Sequence, residues 1–120
     1  MNALPAIRLL GASDASVLLN VAPGVFDNAI DTRWTNEFLA DPRHHMMVAL
    51  QDGQVVGMAS AVHYIHPDKP PEFWVNEIGV APSYRNQGIG KRLFRNSGTT
   101  GDGNSRTGSR PWLNWKSTFS

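Results

Sequence analysis

The chain has 120 residues, 41% hydrophobic and 9% aromatic, which allows one small folded domain. It contains no cysteine, excluding a disulfide framework, thiolate zinc sites and cysteine nucleophiles. Residues 1–94 hold seven Lys and Arg against nine Asp and Glu (net −2), and residues 95–120 hold four against one (net +3); the basic end is scattered among Gly, Ser and Thr with no reading motif, so no nucleic-acid partner is expected.

Ile7-Arg8-Leu9-Leu10 reads as a first strand. Ser13 is a good helix N-cap with Asp14 in the first turn, predicting a helix through Val17, Leu18 and Val21 that ends at Pro23-Gly24. Asp31 or Thr32 caps a second helix carrying Trp34, Phe38 and Leu39, stopped by Asp41-Pro42. Met46 to Leu50 predicts a strand. Asp52-Gly53 is a tight-turn signal, so Gln54 to Tyr64 returns as its hairpin partner, with small and apolar residues on both faces. The proline-rich run from His66 to Pro71 cannot sit in a central strand, and Phe73 to Val80 follows as the third strand of an antiparallel meander. Ala81-Pro82-Ser83-Tyr84 is then a turn, and Ile89, Leu93 and Phe94 recur at helical spacing.

From about Arg95 the text changes. Sixteen of the last 26 residues are Gly, Ser, Thr or Asn, without a period of 2 or 3.6. This stretch is expected to be an irregular basic tail, with Trp112, Leu113, Trp115 and Phe119 as a small anchor. The abrupt switch, with its charge reversal, suggests a shifted reading frame or a truncated gene. No run of about 18 apolar residues appears, so no membrane partner is expected. Met1 to Leu10 lacks the basic-then-apolar layout of a secretion signal, and a soluble cytoplasmic protein is expected.

Residues 85–90, Arg85-Asn86-Gln87-Gly88-Ile89-Gly90, are the informative stretch. Between a strand and a helix start, a loop with glycines at 88 and 90 aims unpaired N–H groups at one point, aided by the helix dipole. Such a loop suits a phosphate or pyrophosphate, and Lys91 and Arg92 add positive charge. A Walker A loop is unsupported because Lys91 is followed by Arg92 and not by Ser or Thr, and a Rossmann fingerprint lacks its third glycine. An Arg-x-x-Gly-x-Gly loop after an apolar strand remains, with a plain chain-reversing turn as the alternative.

The run from Glu77 to Leu93 resembles motif A of the GNAT acetyltransferase superfamily, and the element order over residues 5–94 is similar as well. The resemblance implies an α/β (α+β), GNAT-like fold: first strand, two helices, three-strand antiparallel meander, phosphate-binding loop and short helix, with an incomplete C-terminal half. Residues 1–94 would be a partial acetyl-CoA-binding domain and residues 95–120 the tail. Val56-Gly57-Met58-Ala59 and the proline-rich hairpin are similar to small antibiotic- or metabolite-acetylating members, including aminoglycoside 3-N-acetyltransferases.

The resemblance further implies acetyl-CoA as cofactor and acetyl transfer to a primary amine of a small molecule or peptide. Main chain at Ile78, Gly79 and Val80 would orient the pantetheine arm, and the loop of Arg85, Asn86, Gln87, Gly88, Ile89, Gly90 and Lys91 would hold the pyrophosphate. Glu77 stands where many members carry the acid that accepts the amine proton; its alternative is a strand-end carboxylate paired with an Arg. The family pattern continues with a fifth strand and a tyrosine general acid, whereas the tyrosines here are Tyr64 and Tyr84. The second functional reading is therefore a truncated, inactive GNAT-like fragment that at most binds coenzyme A, and a third is an interaction module using the basic tail. An exposed edge on the fourth strand would favour self-association. His44 and His45 are expected to be exposed, His63 and His66 to border the acceptor pocket, and no metal site is expected.

Overall fold

The computed structural model describes residues 4–97 and 115–117. Its elements are β1 (Ala6–Leu9), a 3-10 turn (Ala15–Leu19), α1 (Thr32–Ala40), β2 (His44–Gln51), β3 (Gln54–Tyr64), β4 (Glu72–Val80), a second 3-10 turn (Pro82–Tyr84), α2 (Ile89–Ser97) and β5 (Trp115–Ser117). They build one sheet in the order β1-β2-β3-β4-β5, antiparallel through β4 and parallel between β4 and β5. The GNAT-like α+β architecture read from the sequence is the one observed.

Asp52 and Gly53 take φ of 53° and 79°, the positive values that a two-residue hairpin turn needs to match strand twist. β2 and β3 therefore pair from Gln51↔Gln54 outward. Val48, Ala49, Val55, Val56 and Met58 are fully buried, because α1 with the first 3-10 turn and α2 cover the sheet. Asp31 caps α1 as expected, its Oδ1 accepting from Trp34 N at 3.1 Å, and Thr35 and Leu39 are its buried residues.

Three expectations need correction. The helix predicted after Ser13 is a 3-10 turn of five residues. The Asp14 carboxylate does not cap it, because its oxygens accept from Arg8 Nη2 and from Gly11 N, each at 2.7 Å. Secondly, residues 95–120 are not irregular throughout: α2 continues to Ser97, and Trp115–Ser117 pairs with Phe73–Val75. An open strand edge offers a row of main-chain partners whatever the composition of the incoming segment. Thirdly, the edge of β4 is covered over Phe73–Val75 and not exposed along its length. The anchor residues Trp112, Leu113 and Phe119 lie outside the described residues.

β4 is not straight in register. Ser60 faces Glu77 but Ala61 faces Val75, so Asn76 is an extra, bulged residue. A bulge bends its strand, and β5 stops at Val75, just before it. From Glu77 to Val80, β4 is paired with β3 on one side, and no strand among the described residues borders the other.

Candidate functional site

The loop after β4 begins as a 3-10 turn, with Tyr84 N donating to Ala81 O at 2.8 Å. Arg85 folds back so that its Nε donates to Val80 O at 2.9 Å, and Gln87 Nε2 donates to Ser83 O at 3.2 Å. Both side chains brace the loop against the strand it leaves. Asn86 and Gly88 then take φ of 63° and 79° and turn the chain into α2. A Cβ built on Gly88 meets no heavy atom within 4 Å, so the space beside it is open. Ile89 and Leu93 are buried and anchor the helix in the core.

The main-chain N–H groups of Asn86, Gln87, Gly88, Ile89, Gly90 and Lys91 donate to no acceptor among the described residues; the next amide, Arg92 N, donates to Gly88 O at 3.1 Å. Six donors at a helix start carry the positive end of the peptide dipoles, with the exposed Lys91 among them. Arg92 Nη1 is buried without a partner among the described residues.

Ile78, Gly79 and Val80 pair with Ala59, Met58 and Gly57. Gly79 has a specific packing reason: a Cβ there would overlap the carbonyl oxygen of Val25. The chain after the first 3-10 turn thus lies directly on β4.

Beyond Val25 that segment walls a cleft of about 300 Å³, which Asp27, Trp34, Thr35, Phe38, Met46 and Glu77 help to line. Glu77 is half-buried. Burial pushes its carboxyl above the usual range, and the Asp27 carboxylate, hydrogen-bonded to it, adds to the rise. The partner is thus another acid and not the arginine considered from the sequence. Asp27 is the residue that sequence reasoning missed. It lies in an aperiodic segment, where neither hydrophobic period nor motif marks it.

The histidines depart from expectation. His45 is 8% exposed, its Nε2 lies 2.9 Å from His63 Nδ1, and its ring stacks on Phe73 at 5.0 Å. Burial pushes the His45 imidazole down to about 4, and the neighbouring His63 adds to the depression. His45 sits in β2, paired with Ala61, so it points where the core is, whereas its neighbour His44 stacks on Phe38 at 5.0 Å. His66 Nε2 lies 3.3 Å from Glu72 Oε1. Neither His63 nor His66 lines the cleft that holds Glu77.

The acetyltransferase (GNAT) family model matches residues 17–97. Over 60 residues the chain is 40% identical to the N-alpha-acetyltransferase RimI of Mycobacterium tuberculosis, a match covering 50% of this chain and 37% of that relative. In fold it is similar to an aminoglycoside acetyltransferase from an uncultured soil metagenomic sample in complex with trehalose (TM-score 0.72, 17% identity, 96% of this chain and 77% of that one). It is likewise similar to the aminoglycoside N-acetyltransferase AAC(6')-Iy in complex with CoA (TM-score 0.66, 23% identity, 100% and 79%).

Proposed function

Since this chain belongs to the acetyltransferase (GNAT) family, we propose that it transfers an acetyl group from acetyl-CoA to a primary amine of a small molecule or peptide. The observation that carries this reading is the run of six amides from Asn86 to Lys91 with no acceptor, at the head of α2. Main-chain donors at a helix start suit a diphosphate, and the open space beside Gly88 lets one approach the backbone. The same residues therefore fit coenzyme A. The unbordered side of Ile78–Val80 offers strand-like hydrogen bonding to the amides of a pantetheine arm.

Bound acetyl-CoA supplies an acetyl group already activated as a thioester. The chain itself must hold the acceptor and take its proton. An amine of lysine type has a pKa of about 10.4 and is protonated at neutral pH, so it must lose a proton before it attacks. Glu77 is our candidate base, because a carboxyl held above its usual range is better matched to that transfer than an ordinary one. Trp34 and Phe38 give the same cleft an apolar wall. The relatives' names support two acceptor types, an N-terminal α-amine and an aminoglycoside amine.

A second reading, coenzyme A binding without turnover, is favoured by one observation. Tyr64 and Tyr84 both precede α2, and neither lines the cleft that holds Glu77. Two measurements test these readings. Acetyl-CoA at about 100 times its Kd would stabilise the fold by about 2.7 kcal/mol, read as a rise in Tm. Free thiol released with a panel of amines then separates enzyme from binder. A Tm unchanged by saturating acetyl-CoA overturns both.

A further inference from the structure

The wall of the cleft is tied to the coenzyme side of the molecule at three points. Ala22 N donates to Val55 O at 2.8 Å and Ala81 N to Val56 O at 2.9 Å, so the chain entering the wall and the chain entering the glycine loop hang from consecutive residues of β3. The Val25 carbonyl lies on Gly79. Between those two, Gly24 lies against Pro82, the first residue of the 3-10 turn that leads into the loop: a Cβ built on Gly24 would stand 2.7 Å from Pro82 Cδ and 3.2 Å from its Cγ. Gly24 also has φ of 87°, so a side chain there would be strained as well as crowded. Past Val25 the restraints stop. Residues 26–30 make no main-chain hydrogen bond among the described residues, and Phe26 and Ile30 are only half-buried. The same span lines both the cleft that holds Glu77 and a second cavity of about 520 Å³. A stretch so thinly held takes its position from its ends.

We propose that Gly24 is a positioning residue: through its contact with Pro82, the loop that seats the coenzyme diphosphate sets where the cleft wall 26–30 stands. This rests on the acetyltransferase reading and joins its two halves through one contact. Pro82 passes on a displacement because its ring fixes φ. The turn it opens is closed by Tyr84 N on Ala81 O at 2.8 Å and Arg85 N on Pro82 O at 3.4 Å, and Gln87 Nε2 on Ser83 O ties that turn to the loop amides. A diphosphate held by those amides restrains Pro82, and Pro82 restrains Gly24. With coenzyme bound, the wall has already lost freedom, so an acceptor meets less of the ordering cost. By linkage, an acceptor strengthens coenzyme binding by the same factor.

The test is amide NMR on the full chain, titrated with 3'-phospho-ADP, which carries the coenzyme's diphosphate without the pantetheine arm. We expect amides 26–30 to shift in step with amides 86–91, along one binding curve. Gly24→Ala keeps the loop shifts and loses those of the wall. Pro82→Ala leaves a gap and weakens the wall shifts; the double variant recovers them, because the added methyl takes the space of the missing ring atoms. Positive φ strains the alanine equally in both backgrounds, so the recovery reports the contact alone. Gly24 and Pro82 are both exposed, so these changes open no cavity in the core. A purely structural Gly24 would lower Tm and leave the wall response intact. Wall amides that stay still while loop amides move overturn the proposal. So does a wall response in Gly24→Ala equal to that of the wild type, or a double variant no better than Gly24→Ala. Loop amides that ignore the diphosphate overturn the acetyltransferase reading, and this coupling with it.

Discussion

Acidification should unfold this domain through one buried pair of rings. His45 and His63 share a single hydrogen bond of 2.9 Å, which requires one nitrogen to donate and the other to accept. A proton on both facing nitrogens destroys it. His45 is held at about 4 against an ordinary 6.5, so between those values the unfolded chain binds a proton that the folded chain refuses. Stability therefore falls as pH falls through that window and is unaffected by this group above it. At 1.36 kcal/mol per unit, the loss by pH 4 is about 3 kcal/mol, a large part of a small domain's 5–15 kcal/mol. His63, also held low by burial, adds loss of the same sign. The assay is urea unfolding at pH 7, 5.5 and 4 on wild type and His45→Gln, whose amide can still donate to His63 but does not titrate. We expect the midpoint of the wild type to drop more steeply than that of the variant. Parallel dependences in the two proteins would refute the reasoning.

Two further substitutions bear on the site. Glu77→Gln should lower turnover by about 10²–10⁴, as for loss of a general base, while raising Tm at pH 7. Glu77 is held above its ordinary value, so its contribution to stability declines as pH rises from that value through the folded one, and the neutral amide avoids the loss. A Tm that falls with activity would instead mark Glu77 as structural. Gly88→Ala places a side chain at φ 79°, costing about 1–2 kcal/mol. It also fills the open space beside the loop, so the acetyl-CoA-induced rise in Tm should shrink; an undiminished rise would move the phosphate seat elsewhere.

Much of the fold was legible because local chemistry and tertiary structure agree. Asp31 caps, Asp52-Gly53 turns, and the apolar runs on both sides of that turn pair as β2 and β3. The glycine loop was legible for the same reason, since strand, turn and helix each carry their own signal. The rest depended on contacts distant in sequence. Asp14, expected in the first turn of a helix, is held instead by Arg8 and Gly11, and His45 was drawn inside by its place in β2 against Ala61 and Phe73. β5 formed from a segment with no period because β4 offered it an edge. Asp27 meets Glu77 across 49 intervening positions, and the bulge at Asn76 appears only when β3 and β4 are laid side by side.

The contact between Gly79 and the Val25 carbonyl has a consequence for how this site can vary. It rivets one end of the cleft wall to the strand beside the coenzyme loop, while Asp31, locked into the start of α1, fixes the other. Only the short span 26–30 hangs between those fixtures. Changes of length or composition there can reshape acceptor choice without disturbing β4, whereas a residue added before Val25 would shift the rivet itself.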